Sequence, residues 1–384
     1  MRATLRPHIG QNGGVTTVVT PDLDAMVGDL RRLVEIESPS RDLSALRISA
    51  DAVAAIMRER LGSDPRIVES ANGPHVWWSG GGTPRILLVG HHDTVFPLGA
   101  LAARPFTVSD GRATGPGVFD MKGGIVQAIH GVAGLADRSG IEILITADEE
   151  IGSGASRELI VERALACGTV LVFEPSADGG AFKTARKGTG TFEVLIRGRA
   201  AHAGLEPEKG INSLVEASHQ VLKISEFGDA ERGTTVTPTV ASSGTADNVV
   251  PAEARVLVDC RVAEIPEGHR VTDLFSKLSP ILPGAEIEVR GGINRPPMPS
   301  STSVALLPIA QEAARDAGLG DVAGVGVGGG SDGNFTAAAG VPTLDGLGAV
   351  GGGAHADHEW IDVTVMPARA ALVTGLLARL LTPH

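Results

Sequence analysis

A chain of 384 residues has room for two domains, each with its own core. Its formal net charge of -12 argues against a nucleic acid or an anionic membrane surface as partner. Aromatic residues make up only 3% and tyrosine is absent, so no phenolic hydroxyl exists to donate a hydrogen bond to a reaction oxyanion.

The first fourteen residues carry basic side chains but no apolar h-region, so they do not read as a secretory signal. Nowhere is there an uninterrupted apolar run of membrane-spanning length. The spacing predicts helices over 22–37 and 43–61. Short apolar runs at 85–90, 141–146 and 169–173, separated by helix-like segments, read as buried parallel strands, and this alternation continues to about Lys187. The next stretch differs. Runs at 191–197, 234–240, 252–261 and 285–290 alternate like one-sided antiparallel strands, with helices at about 210–227 and 267–282. Two β-α-β units of this kind close most simply as a four-stranded antiparallel sheet with two helices on one face. A helix at 301–318, a glycine-rich loop and a final helix at 366–381 complete the first layer. The expectation is therefore an α/β fold. A mixed, mostly parallel sheet flanked by helices occupies 1–187 and 297–384, and an inserted α+β domain occupies 188–296. Cys167 and Cys260 fall in different predicted domains without zinc spacing and read as reduced core or near-core thiols of a cytoplasmic protein.

Acidic and histidine residues cluster where the β-rich runs end: His91, His92 and Asp93; Asp120; Asp148, Glu149 and Glu150; Glu174; and His355 with Asp357. Parallel strands align their carboxyl ends, and open α/β sheets bind ligands there. Imidazoles with carboxylates are the donors that borderline divalent ions such as zinc prefer. Taken singly, such residues also occur as ordinary strand ends or as a solvated helix start. Jointly they point to a dinuclear hydrolase. In extended chain, His91 and Asp93 fall on one side, which lets the aspartate orient the imidazole. Alternation points His92 away. Glu149 and Glu150 are adjacent and diverge, so one can bind metal while the other moves a proton.

The sequences Gly-His91-x-Asp93-Thr-Val, Gly-Pro-Gly-x-x-Asp120-x-Lys-Gly-Gly, Asp-Glu149-Glu150-x-Gly-Ser, Glu174-Pro and Gly-Gly-x-His355-x-Asp, in this order, resemble the M20 zinc metallopeptidases and their glutamate carboxypeptidase branch. The resemblance runs from about Asp22 to the final helix. It implies two Zn2+ per subunit, with Co2+ or Mn2+ as substitutes. Asp120 would bridge them, with His91 and Glu174 on one ion and Glu150 and His355 on the other. It implies Glu149 as general base and Asp93 as the group orienting His91. Asp357 and His358 lie close enough in sequence to replace His355, but the resemblance favours His355. In the inserted domain it implies a homodimer, with His202 and Asn248 reaching substrate across the interface and Arg261 and Arg295 holding its terminal carboxylate. Lys183 sits near the position that recognises a glutamate side chain, although Thr184–Lys187 is offset from that branch by one residue. The residues alone also allow duller roles, a turn at Asn248 and a surface charge at Arg261. The implied reaction is hydrolysis of an amide next to a free carboxylate, releasing glutamate or a similar amino acid from peptide or N-acyl substrates. An N-acyl-amino-acid deacylase of the aminoacylase or acetylornithine type would use the same core.

Two competing motifs overlap the glycine-rich loop. Gly329-Gly-Ser331-Asp-Gly333, with Asp345 and His355 downstream, fits a serine nucleophile elbow, but the run before it is broken by glycines. Gly324-x-Gly326-x-x-Gly329 is dinucleotide-like, but it comes late in the chain with no acidic partner at the expected strand end. A loop whose backbone approaches substrate, at Gly330 among others, accounts for the glycines better.

Overall fold

A computed structural model of the chain describes residues 21–382, so the amino-terminal stretch read above for a targeting signal lies outside the described residues. The chain divides into two compact units. One comprises Met1–Ala185, Ser300–Val327 and Ser331–His384; the other comprises Arg186–Pro299 and Gly328–Gly330. The glycine triplet, placed by sequence with the larger unit, thus belongs with the smaller.

In the larger unit, the helix Leu43–Leu61 starts where Asp42 accepts hydrogen bonds from the Ser44 and Ala45 amides, and it stops at Gly62, whose φ of 78° suits glycine. The main sheet runs in the order Arg66–Val68, His75–Ser79, Ile141–Thr146, Ile86–His91, Val170–Val172, Thr343–Leu344. The last four strands are mutually parallel, and the first two join antiparallel. Every residue of Ile86–His91 and Ile141–Thr146 is buried. Alternate side chains serve different cores. Ile86 and Leu88 pack with the helices Gly123–Ala133 and Met366–Leu381, whereas Leu87 and Val89 pack with Ile160 and Ala164 of the helix Arg157–Cys167. Burial on both faces explains why these strands are continuously apolar.

A second sheet escaped the sequence reading. Gly351–Gly352, Trp360–Asp362, Arg112–Thr114 and Thr107–Ser109 form four short antiparallel strands. Strands of two or three residues carry no readable period.

The smaller unit has a four-stranded antiparallel sheet in the order Thr235–Ser243, Glu253–Val262, Gly188–Arg197, Glu286–Arg295. The two β-α-β units interleave, so each helix returns the chain past one intervening strand and every neighbour is antiparallel. The helices Ser213–Ser225 and Ile265–Ser276 supply Ala217, Ile224, Val271 and Phe275 to a core with Phe192, Val194, Val256 and Val258. Phe192 and Phe275 stack with centroids 3.8 Å apart. Beyond the sheet, Ala201–His202 pairs with Val249–Val250 as a separate ribbon. Cys167 and Cys260 are buried and free. Among the described residues, no helix is long and apolar enough to cross a membrane.

Candidate metal centre

Three of the five predicted clusters do lie past the carboxyl ends of parallel strands. His91 closes its strand opposite Thr146, Glu149 and Glu150 begin the single turn Glu149–Ile151 just beyond, and Glu174 follows the strand Val170–Val172. The other two do not, which corrects the strand-end reading for Asp120 and His355. Asp120 lies in the turn Val118–Lys122, after the strand Arg112–Thr114. His355 lies between Gly351–Gly352 and Trp360–Asp362. The small sheet, in which Trp360 faces Thr114, brings these two segments together. His355 holds a φ of 63°, unusual for a residue with a side chain and the kind of local strain that concentrates at functional positions.

Asp120 presents one oxygen to each of two histidines. Its Oδ1 lies 3.3 Å from His91 Nε2 and its Oδ2 3.3 Å from His355 Nε2. His91 Nε2 is also 3.5 Å from Glu174 Oε1, and His355 Nε2 is 3.2 Å from Glu150 Oε2. Charged hydrogen bonds would close to roughly 2.8 Å. Two donors on one tetrahedral zinc, each about 2.0 to 2.1 Å from the ion, stand about 3.3 Å apart. The separations therefore fit shared ions better than direct pairing, and Glu150 Oε1, buried without a hydrogen-bond partner, is a further open donor. Ligand atoms of His91, Glu149 and Glu174 lie within 4.8 Å of one another, as do those of His91, Asp120 and Glu150. Geometry alone thus admits Glu149 as a donor beside the role expected for it as a base.

Electrostatics say the same. Burial opposes charge on His91, yet Asp120, Asp93 and Glu174 raise its protonation well above the ordinary range. Hydrogen bonds to Asp120 and Glu150 hold His355 up to about 10. Asp120 is pushed up by burial but drawn well below the carboxylate range by the two imidazoles, whereas burial lifts Glu150. A cluster that holds protons this firmly concentrates negative charge that a divalent cation would neutralise.

Asp93 does more than orient His91. The imidazole Nδ1 lies 3.0 Å from the Asp93 carbonyl and 3.3 Å from its Oδ1. The carboxylate accepts the amides of Glu149 and Glu150, each at 3.2 Å, and the Ser40 hydroxyl at 2.7 Å. One buried side chain therefore fixes a histidine and the start of the acidic turn. His92, its Nε2 donating to the Pro74 carbonyl at 2.9 Å, is kept neutral by burial, which lowers its protonation to about 4. Ser331 donates to Asp345 at 2.6 Å, while His355 sits with Asp120 and Glu150, so the three elbow residues do not form a relay. Asp357 is an exposed partner of Arg104.

In the smaller unit, His202 Nδ1 accepts the Gly204 and Leu205 amides at 3.1 and 3.2 Å. That bonding assigns the ring proton to Nε2. Asn248 adjoins it, its carbonyl accepting the Ala203 amide. Arg261 and Arg295 both face Thr189, one from each flanking strand, so the two arginines share a row across the sheet. Arg261 is engaged by Asp259 at 2.8 Å. A Cβ at Gly330 would lie 2.9 Å from Thr189 and 3.2 Å from Arg295, which is why glycine stands there. Lys183 belongs to the larger unit, its backbone paired with that of Asp345. Three further residues, two of them in the smaller unit, escaped the sequence reading. Thr189 centres the row, and buried Arg186 donates to the Gly329 and Gly330 carbonyls at 3.1 and 3.2 Å. Glu359 bonds the Asp120 turn, and only its spacing after His355 could have drawn notice.

The model of peptidase family M20/M25/M40 matches residues 87–379. Carboxypeptidase G2 from Pseudomonas sp. (strain RS-16) is 31% identical over 374 residues, covering 93% of this chain and 90% of that protein. Acetylornithine deacetylase from Myxococcus xanthus is 28% identical over 229 residues, 55% of this chain and 60% of that one. An M20 family metallo-carboxypeptidase from Sulfolobus solfataricus shares the fold with a TM-score of 0.75 at 15% identity, covering 92% of this chain and 98% of that one. The match across most of the chain, with histidines and carboxylates gathered around Asp120, identifies a metal-dependent hydrolase that belongs to peptidase family M20/M25/M40.

Proposed function

We propose that the protein is a dinuclear zinc carboxypeptidase that releases glutamate or a similar C-terminal amino acid from peptide or N-acyl substrates. The observation that carries this reading is Asp120, with one oxygen toward His91 and the other toward His355. His91, Glu174 and Asp120 would hold one ion, and Asp120, Glu150 and His355 the other. Bound there, the pair supplies Lewis acidity to the scissile carbonyl and to water. Glu149 takes the proton of the attacking water and returns it to the leaving amine. The amide C–N bond breaks as the water oxygen bonds carbon, and no protein nucleophile is needed. Asp93 keeps Glu149 in place by binding its amide. His202, with its proton on Nε2, is suited to donate to the carbonyl oxygen as negative charge develops there.

The Arg261–Thr189–Arg295 row supports recognition of a terminal carboxylate, since guanidinium groups bind carboxylates in a planar, two-pronged manner. Asn248 and the Gly330 backbone would complete this subsite, and Lys183 would meet an acidic side chain. The smaller unit is proposed as the dimer contact. Its edge strand Thr235–Ser243 is largely exposed, as are Leu214 and Leu222 of its helix at 52% and 69%. Two free, buried thiols favour the cytoplasm. Similarity to an acetylornithine deacetylase supports the second reading, an N-acyl-amino-acid deacylase. A panel pairing one C-terminal glutamate with peptide and short-chain acyl groups, and one acyl group with varied amino acids, separates them. Dependence on the released amino acid supports the carboxypeptidase, whereas dependence on the acyl group alone overturns it.

A further inference from the structure

The two segments that carry Asp120 and His355 are 235 positions apart and lie outside the main sheet, so the parallel strands cannot set their separation. One buried side chain spans them. Glu359 is 1% exposed and accepts three backbone amides of the Asp120 turn: Phe119 and Asp120 at Oε1, both at 2.8 Å, and Gly117 at Oε2, 2.9 Å. Its own backbone is part of the His355 loop. The Ala356 amide donates to the Gly353 carbonyl and the Glu359 amide to the Ala356 carbonyl, winding the loop tightly about His355. Gly353, with φ of 76°, leaves no room for a side chain there, since a Cβ would meet Glu359 Cα at 3.1 Å.

We infer that Glu359 is a positioning residue that holds the Asp120 turn in register with the His355 loop, so that both oxygens of Asp120 face their histidines. The inference rests on the reading of Asp120 and His355 as metal donors. The small sheet brings the two loops near, but its strand pairing ends at Trp360 and Thr114. Between that pairing and Asp120, Glu359 grips the turn by successive amides and takes up three donors that burial would otherwise leave unpaired. A glutamine keeps the shape, but its amide group can accept at one end only. The Gly117 amide would then face another donor.

The test measures the affinity of the metal-free protein for Zn2+ by competition with a chromogenic chelator, and the visible spectrum of the Co2+-loaded protein. Glu359→Gln is compared with Glu216→Gln. Glu216 is an equally buried carboxylate of the smaller unit that accepts the Ile281 and Leu282 amides, so its loss reproduces the structural damage away from the metal. Glu359→Gln is expected to weaken Zn2+ binding about 10- to 100-fold, the usual effect of removing a group that orients a metal ligand, and to alter the Co2+ spectrum. Glu216→Gln should lower thermal stability with affinity and spectrum unchanged. Unchanged affinity and spectrum in a destabilised Glu359→Gln would overturn the inference. If that variant does not fold, Glu359→Asp, which keeps the charge on a shorter stem, decides by the same two readings. A wild-type protein that binds no metal would instead overturn the assignment of Asp120 and His355.

Discussion

Glu149 and Glu150 are neighbours with divergent fates, and the divergence is testable. Glu150 is bound into the Asp120–His355 set, 3.2 Å from the imidazole, so Glu150→Gln should lose metal. Glu149→Gln should keep it and lose about 10²- to 10⁴-fold in turnover, the usual cost of removing a general base. Metal analysis beside single-turnover kinetics checks both, and the opposite pattern would exchange the two roles. Most of these side chains could be found in sequence, because each stands in a short motif whose residue types are metal donors. Glu359 offers only its spacing after His355, since its partner Asp120 lies 239 positions away and nothing local links the two. The double engagement of Asp93 was half legible. Its spacing from His91 reveals one link, but the amides of Glu149 and Glu150 meet it only after two strands pair.

Helices and buried strands follow from period and composition, and the structure places helices at Leu43–Leu61 and Met366–Leu381 over the limits read from sequence. The small antiparallel sheet was illegible, as was the order in which the β-α-β strands interleave, because both depend on long-range pairing. Close approach between elements explains one glycine of the Asp120-x-Lys-Gly-Gly motif. A Cβ at Gly124 would lie 2.1 Å from the Phe173 carbonyl oxygen, which immediately precedes Glu174. Gly124→Ala should therefore force the helix from the strand end, cost about 1 to 3 kcal/mol and weaken metal binding, as denaturant titration and chelator competition would reveal. A second test concerns a contact among the helices Leu23–Val34, Leu43–Leu61 and Gly123–Ala133. Asp29, 2% exposed in the helix Leu23–Val34, accepts from His130 at 2.8 Å and Arg60 at 2.7 Å. Burial pushes its carboxyl up, but these partners bring it down to about 2 from an ordinary 3.8. A depressed value stabilises the folded state above the unfolded value, and the contribution disappears as pH falls through the folded one. Asp29→Asn should cost about 2 kcal/mol at pH 7, by the usual 1.36 kcal/mol per unit, and the gap from wild type should close between about pH 4 and 2. A gap independent of pH would place the effect in packing.

The proposed dimer makes a demand that a monomer would not. His202→Ala should lose about 10²- to 10³-fold in turnover, as expected for a lost oxyanion donor. If His202 serves the partner's site, mixing His202→Ala with Glu149→Ala subunits should restore activity, because each heterodimer regains one site with both groups. No recovery despite proven subunit exchange would place His202 in its own subunit's site or outside catalysis. The metal pair around Asp120 is decided by titrating metal-free protein with Zn2+ and following hydrolysis of an N-acyl glutamate. Turnover should be absent without metal and should rise until it saturates near two ions per chain. Full turnover in the presence of a chelator, abolished by Ser331→Ala, would contradict it.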